Sequence, residues 1–228
     1  MSDVLAALGR GVDKRPVTGT ATAIACVLGA KVRQIDVSDG ADPARGTDRV
    51  LAGLAAPGTV LGVLSGTASL HDLCWRVAQR AQKPVVLVPP VGRAVPQTIS
   101  RVLVPLDATP ESATAVSETV GLLARAGVDI VVLHVFGTAT VPKFWDQAEH
   151  AERAWQAEFI ARYCRESGVR LRLRSGEPGE HVLDVAAAEG VDLIALGWSQ
   201  HLDDGRARTV RRTVRDTDVP VMLVPIVE

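Results

Sequence analysis

Short apolar runs that stop at a proline punctuate the chain: Val85-Val86-Leu87-Val88-Pro89, Val102-Leu103-Val104-Pro105 and Val221-Met222-Leu223-Val224-Pro225. Unbroken apolar runs of this length predict strands buried on both faces, the habit of a parallel sheet covered by helices. Val60 to Leu64 and Leu193 to Leu196 read the same way. Between them lie helical patterns, one of which recurs at Phe144, Ala148, Ala151, Trp155 and Phe159 and gives a single apolar face. Val169 to Arg174 alternates strictly, with three apolar side chains on one face and three arginines on the other. Such a strand belongs at a sheet edge, where its charge also discourages edge-to-edge pairing.

Two series of these elements are related by constant offsets. Val4 to Leu8 falls on Val102 to Leu106, and Val32 to Val37 on Ile130 to Val135, both at an offset of 98 (Val4 to Val102). Near the ends, Lys83 to Pro89 falls on Val219 to Pro225 at an offset of 136 (Val85 to Val221). The first series therefore lacks one helix–strand unit, the one that contains the arginine-bearing strand. Its second strand should then become an edge, and it carries Lys31, Arg33, Gln34 and Asp36 where the other series has Asp129, Val131, Val132 and His134. Strands alternating with helices imply right-handed parallel βαβ units and an open, doubly wound α/β sheet. The expectation is two such domains in tandem: residues 1–90, reduced to four strands, and residues 98–228, with five.

Composition narrows the function classes. The chain has 228 residues, a hydrophobic fraction of 47%, and 25 Lys plus Arg against 26 Asp plus Glu. No net field favours nucleic acid or an anionic membrane. The opening Met1-Ser2-Asp3-Val4 lacks the signature of a leader, and no apolar run reaches the roughly 18 residues of a membrane span, so the expectation is a cytoplasmic protein. Cys26, Cys74 and Cys164 are odd in number and set among apolar neighbours, which predicts buried thiols.

In doubly wound sheets ligands lie beyond the carboxyl ends of the strands, where the strand order reverses. The first strand of the second series runs into Asp107-Ala108-Thr109-Pro110, with Thr109 and Pro110 placed as helix cap and first helical residue. Asp107 is too early to be that cap. It is either a hydrogen-bond acceptor for a base or sugar, or a carboxylate that fixes the loop. The strand Leu193 to Leu196 continues into Gly197-Trp198-Ser199-Gln200, after which Asp203, Asp204 and Gly205 precede a basic helix. A strand–glycine–loop–helix passage can hold an anion on backbone N–H groups, although two glycines alone also suit a plain turn.

A strand ending in Asp107, a strand ending Leu133-His134-Val135 and a closing Val219-Pro220-Val221-Met222-Leu223-Val224 resemble the universal stress protein family over nearly all of the second half. The resemblance implies strand order 3-2-1-4-5, adenine bound near Asp107 and Val135, and phosphates on a glycine-rich loop. It also implies that the two closing strands meet across a pseudo-twofold axis, as in the family's dimers, making an intramolecular pseudo-dimer. The family's phosphate pattern is degraded here. Gly197 is kept, Gln200 stands where a second glycine is expected, and Ala207-Arg208 lie where a Gly-Ser pair would fall, with Thr209 the nearest hydroxyl and Arg206 and Arg208 the nearest charge. The first half departs further, having Gly9 in place of Asp107.

Other signals have plainer readings. Arg206, Arg208, Arg211, Arg212 and Arg215 read as a solvated helix face rather than a nucleic-acid surface, since no aromatic residues interleave with them. His181 with Asp184, and His201 before two acids, fall short of a metal-ligand set. His134 ends a strand near the expected pocket, without a nucleophile to serve. Trp75, Trp145 and Trp155 read as packing residues, whereas Trp198 would either stack on a base or plug an empty pocket. The expected function is a non-enzymatic stress-response protein whose second domain binds ATP or AMP weakly through Asp107, Ala108, Thr109, Val135, Gly197, Trp198, Ser199, Gln200, Arg208 and Thr209. No metal is expected beyond Mg carried by the nucleotide, and further homo-oligomerisation is compatible with the sequence. A nucleotide-free interaction module is the rival reading. An ATP-dependent enzyme comes third, because the Ser/Gly-rich phosphate loop of adenylating enzymes is absent after the first strand.

Overall fold

Strand and helix starts follow from local chemistry that the chain repeats. Asp13 caps one helix by accepting from the Arg15 N–H at 3.0 Å, and Thr109 caps another by accepting from Ser112, with Pro110 as its first residue. Helices end where Gly29 and Gly190 turn left-handed at φ of 60°, a conformation that only glycine adopts without strain. The computed structural model describes residues 2–9, 13–37, 43–67, 69–90, 97–137, 149–164, 168–202 and 206–226. Among these the elements run β1 (Asp3–Leu8), α1 (Lys14–Leu28), β2 (Lys31–Asp36), α2 (Pro43–Ala55), β3 (Thr59–Ser65), α3 (Leu73–Ala78) and β4 (Val85–Val88) in the first half. The second half holds β5 (Arg101–Pro105), α4 (Pro110–Arg125), β6 (Asp129–Phe136), α5 (Glu149–Tyr163), β7 (Arg170–Ser175), α6 (Pro178–Glu189), β8 (Leu193–Trp198), α7 (Arg206–Asp216) and β9 (Val221–Pro225). Phe144, Trp145 and Ala148 lie outside the described residues, as do Val91 to Pro96 between the halves.

The strands form one nine-stranded sheet in the order β2-β1-β3-β4-β9-β8-β5-β6-β7. The four strands of the first half and the five of the second stay contiguous, and the closing strands that the family resemblance brings together do meet, which joins the halves into one sheet. All neighbours are parallel except β4 and β9, which pair antiparallel through Val85 with Leu223, Val86 with Met222 and Leu87 with Val221. The physical reason lies in their composition. Each is apolar on both faces and would otherwise bury an edge of unpaired N–H and C=O groups. Joining those edges satisfies both strands at once. The register on either side of this seam is the same: Leu5 pairs with Arg33 and Gly62, and Gly62 with Val85, while Leu103 pairs with Val131 and Ile194, and Ile194 with Val221.

Alternation along the strands divides the core into two layers. Val4, Ala6, Val86, Val102, Val132 and Met222 point to one face and pack under α1, α4 and α5. Leu5, Val85, Leu103, Leu133, Ile194 and Leu223 point to the other, under α2, α3, α6 and α7. The outermost strands are polar: β2 is exposed at Lys31, Gln34 and Asp36, and β7 carries its arginines. Those arginines are not merely solvated. Arg172 Nε lies 2.6 Å from Glu189, Arg170 reaches Glu189 at 3.1 Å and Asp129 at 2.6 Å, and Arg101 Nε holds Asp129 at 3.0 Å. This chain of ion pairs ties β5, β6, β7 and α6 together at the end of the sheet remote from the carboxyl ends. Hydrogen bonding from Arg172 holds the Glu189 carboxyl below its usual range. Among the cysteines, Cys74 is buried and Cys164 partly so, but Cys26 is exposed, on the outward side of α1 one turn from exposed Thr22.

Candidate functional site

β5 is the strand at which the strand order of the second half reverses, with β6 on one side and β8 on the other. Beyond the carboxyl ends of these three strands lies a cleft of about 390 Å³. Its inner wall is apolar, from Leu106, Leu133, Leu196 and Val182, and its rim carries Asp107, Val135, Gly197, Glu177, Arg208 and Thr209. An apolar body with a few convergent polar groups is the usual make-up of a small-molecule site.

Asp107 is exposed at the tip of β5, and its Oδ1 accepts from the Thr109 N–H at 3.1 Å and the Thr109 hydroxyl at 2.8 Å. The carboxylate therefore does fix its loop, while also lining the cleft. Ala108, held between them at φ of 61°, packs toward the core under α4 and does not line the cleft. Thr109 contributes to the site by orienting Asp107 and capping α4. Val135 and Gly197 stand on the strand ends where they were expected, and Arg208 and Thr209 face the cleft from α7.

Trp198 and Gln200 do something else. Trp198 is fully buried, its Nε1 donating to the Ala78 carbonyl at 3.0 Å and its ring set edge-on to Trp75 at 6.0 Å. Gln200, with φ of 64°, sends its Nε2 to the carbonyls of Ala81 at 2.7 Å and Ala78 at 3.3 Å. Both side chains cap the carboxyl end of α3 in the other half, and neither lines the cleft; Ser199 between them does not line it either. The left-handed backbone of a glycine-like loop is retained at position 200, but its side chain is turned to the seam. Ala108 and Gln200 are the non-glycine residues with left-handed φ among those described, and both sit in the loops that leave β5 and β8. Backbone strain of this kind concentrates at ligand sites and clamps.

His134 is a further correction. Its neighbour Val135 faces the cleft, so the strand's period of two sends His134 to the opposite layer. There the ring is buried against Phe136, Trp155 and Phe159, at centroid distances of 4.7, 5.7 and 5.0 Å, with Nδ1–H donating to the Leu106 carbonyl at 2.9 Å. Burial pushes this imidazole below its ordinary 6.5, only partly offset by the Leu106 bond and the charge of Asp107. The unfolded chain thus takes up the proton first. Stability from this group is complete above about pH 6.5 and declines as the pH falls below it, levelling off once the folded protein is protonated too. Between pH 7 and 5, the wild type should lose more stability in urea titrations than His134→Phe, because the shared carboxylates cancel in the comparison. Parallel pH profiles of the two proteins would rule this out.

Glu177, the residue before α6, was missed by sequence reasoning. It follows β7 as Asp107 follows β5, and Glu177-Pro178 opens α6 much as Thr109-Pro110 opens α4. The rule that residues after each strand matter would have found it had it been applied to the edge strand. Elsewhere, Arg212 bonds Glu180 at 3.2 Å and Arg215 bonds Asp216 at 2.7 Å, so part of the basic run on α7 is internally paired. His181 is engaged with the Ser175 carbonyl at 2.9 Å. No group of His, Cys, Asp and Glu suited to a metal ion occurs among the described residues.

A doubly wound, mostly parallel sheet with a cleft at its switch point defines a Rossmann-like α/β protein. Residues 98–225 match the model of the universal stress protein family, and this chain belongs to that family. It is 28% identical over 163 residues to a universal stress protein of Mycolicibacterium smegmatis, covering 68% of this chain and 53% of that protein. The chain thus spans about half the length of that curated relative. Among solved structures it is similar to a universal stress protein from Archaeoglobus fulgidus, with a TM-score of 0.59, 17% identity, and coverage of 87% of this chain and 70% of that one. It is also similar to a functionally unknown protein from Pseudomonas aeruginosa PAO1, with a TM-score of 0.64, 14% identity, and coverage of 98% and 92%. At these identities the structural likeness speaks for the fold alone. No helix among the described residues is long and apolar enough to cross a membrane.

Proposed function

We propose that this chain is a non-enzymatic, cytoplasmic stress-response protein whose second half, residues 98–228, binds an adenine nucleotide weakly in the cleft beside Asp107, Val135 and Gly197. The observation that carries this reading is the cleft itself, apolar enough for a base and edged by Asp107 at the switch point. Residues 1–90 are proposed to be a reduced copy of the same fold. The offset of 98 recurs in the pairing of β1 with β2 and of β5 with β6, Val4 with Val32 and Val102 with Ile130, which supports a duplication. The seam supports an internal pseudo-dimer: at an offset of 136, Val85 and Leu87 correspond to Val221 and Leu223, and the pairs Val85–Leu223 and Leu87–Val221 exchange under a twofold axis through Val86–Met222. The rival reading, a nucleotide-free interaction module, draws on Gln200, whose commitment to α3 leaves a loop with fewer phosphate contacts.

The two readings separate on whether protein purified without added ligand releases an adenine nucleotide on denaturation. Calorimetric titration refines the test. Asp107→Ala removes the rim carboxylate and loosens the Thr109 turn, and should weaken adenine nucleotide binding about tenfold or more, the usual effect of losing one hydrogen bond to a charged group. Equal affinity in wild type and variant would remove Asp107 from the site.

A further inference from the structure

Among the described residues, the charged groups that line the cleft are two carboxylates, Asp107 and Glu177, and one cation, Arg208. Asp107 is already bonded to Thr109. The other two are held without being used. Glu177 precedes α6 but its side chain makes no capping bond to that helix, and Arg208 makes no hydrogen bond or ion pair among the described residues. The backbone that carries them is nonetheless held in place. The turn into Glu177 is pinned by the Gly176 N–H on the Phe136 carbonyl at 2.9 Å and by the His181 ring on Ser175. Helices α6 and α7 pack closely enough that a methyl group at Gly179 would stand 2.9 Å from the Arg212 side chain. The mouth of the cleft therefore presents one positive and one negative group on neighbouring, tightly packed helices.

We infer that Glu177 and Arg208 set the charge of the ligand, admitting a nucleoside or a nucleoside monophosphate and rejecting a triphosphate; this rests on the adenine-binding reading above. Arg208 can neutralise one phosphate through charge-assisted hydrogen bonds. A second and third phosphate find no further lining cation among the described residues, while Glu177 and Asp107 repel them. Gln200, in the loop after β8, offers no compensation because its amide is bonded to α3. Glu177 can instead accept from a ribose hydroxyl, which carries no charge to repel.

The test is calorimetric titration of adenosine, AMP and ATP, without divalent cation, into the full chain as wild type, Glu177→Gln, Arg208→Gln and Asp107→Ala, at low and at high salt. Thermal unfolding checks that each variant folds. The wild type should bind AMP about tenfold or more tighter than ATP at low salt, with the gap narrowing at high salt as the charges are screened. Glu177→Gln should close most of that gap by tightening ATP. Arg208→Gln should bring AMP down to the affinity of adenosine and leave adenosine unchanged. ATP binding as tightly as AMP to the wild type, with both lost in Asp107→Ala, overturns the charge selection and leaves the adenine site standing. If none of the three ligands binds, the adenine reading fails and this inference fails with it.

Discussion

Trp198→Ala is expected to lower the stability of the chain by about 3–5 kcal/mol, the usual range for truncating a buried aromatic side chain. Trp198 is 1% exposed and lies between the layers of both halves, so the space it leaves is bounded by packed residues of β8, α3 and Trp75 and cannot refill easily. The Ala78 carbonyl at the end of α3 would also lose its shorter donor, keeping only Gln200 at 3.3 Å. Trp198→Phe separates the two contributions. It keeps most of the ring and removes the N–H, and should cost about 1 kcal/mol for the hydrogen bond plus a small packing loss. Urea unfolding followed by the fluorescence of the remaining tryptophans measures both. A loss under 1 kcal/mol for the alanine variant would mean that Trp198 does not join the halves. Of the two expected roles, stacking on a base or plugging an empty pocket, the ring takes neither, and the loop after β8 becomes part of the contact between the halves.

The sheet's elements were largely readable because each strand signals itself in its own residues. The polarity of Lys31 to Asp36 marked β2 as an edge strand, and the alternation of Arg170 to Arg174 marked β7 as the other. Asp107, Val135 and Gly197 could be placed at the cleft because strand ends can be located from an apolar run alone. What no apolar run shows by itself is a pairing made by backbone groups, and the meeting of β4 with β9 was expected from the family resemblance alone. Val85 to Val88 says that both faces are covered and says nothing about which strand takes its free edge. Trp198 was misassigned for a related reason: its partner, the Ala78 carbonyl, is 120 residues away and leaves no mark in the sequence. His134 was a failure of a different kind. Strand parity already placed it opposite Val135, and the aromatic cluster with Trp155 and Phe159 is the packing role that parity predicts.

The seam offers the last expected result. Val86 and Met222 face each other where β4 and β9 cross, both are fully buried, and both point into the layer under α1 and α4. Met222 lines a cavity of about 350 Å³ that Lys83 also lines, but that ammonium is held by the Ala56 and Thr59 carbonyls and Glu118 lines the same cavity, so Met222→Asp should destabilise the protein by several kcal/mol, through desolvation of the charge or through the work of keeping it protonated. Met222→Leu, which nearly conserves volume, should cost less than about 1.5 kcal/mol and serves as the control. Twofold symmetry adds a sharper requirement. If the two residues occupy equivalent places, Val86→Asp must cost nearly as much as Met222→Asp, within about 1 kcal/mol, because each would bury the same charge at the same depth against the other. The destabilisation by the carboxylate should also weaken as the pH is lowered, since the neutral acid is the form that the core tolerates. Urea midpoints for the three variants at pH 7 and pH 5 provide both readings. A Met222→Asp protein as stable as the wild type would show that the strands are open to solvent at this point, and a large cost on one side only would show that the halves do not meet as equivalents.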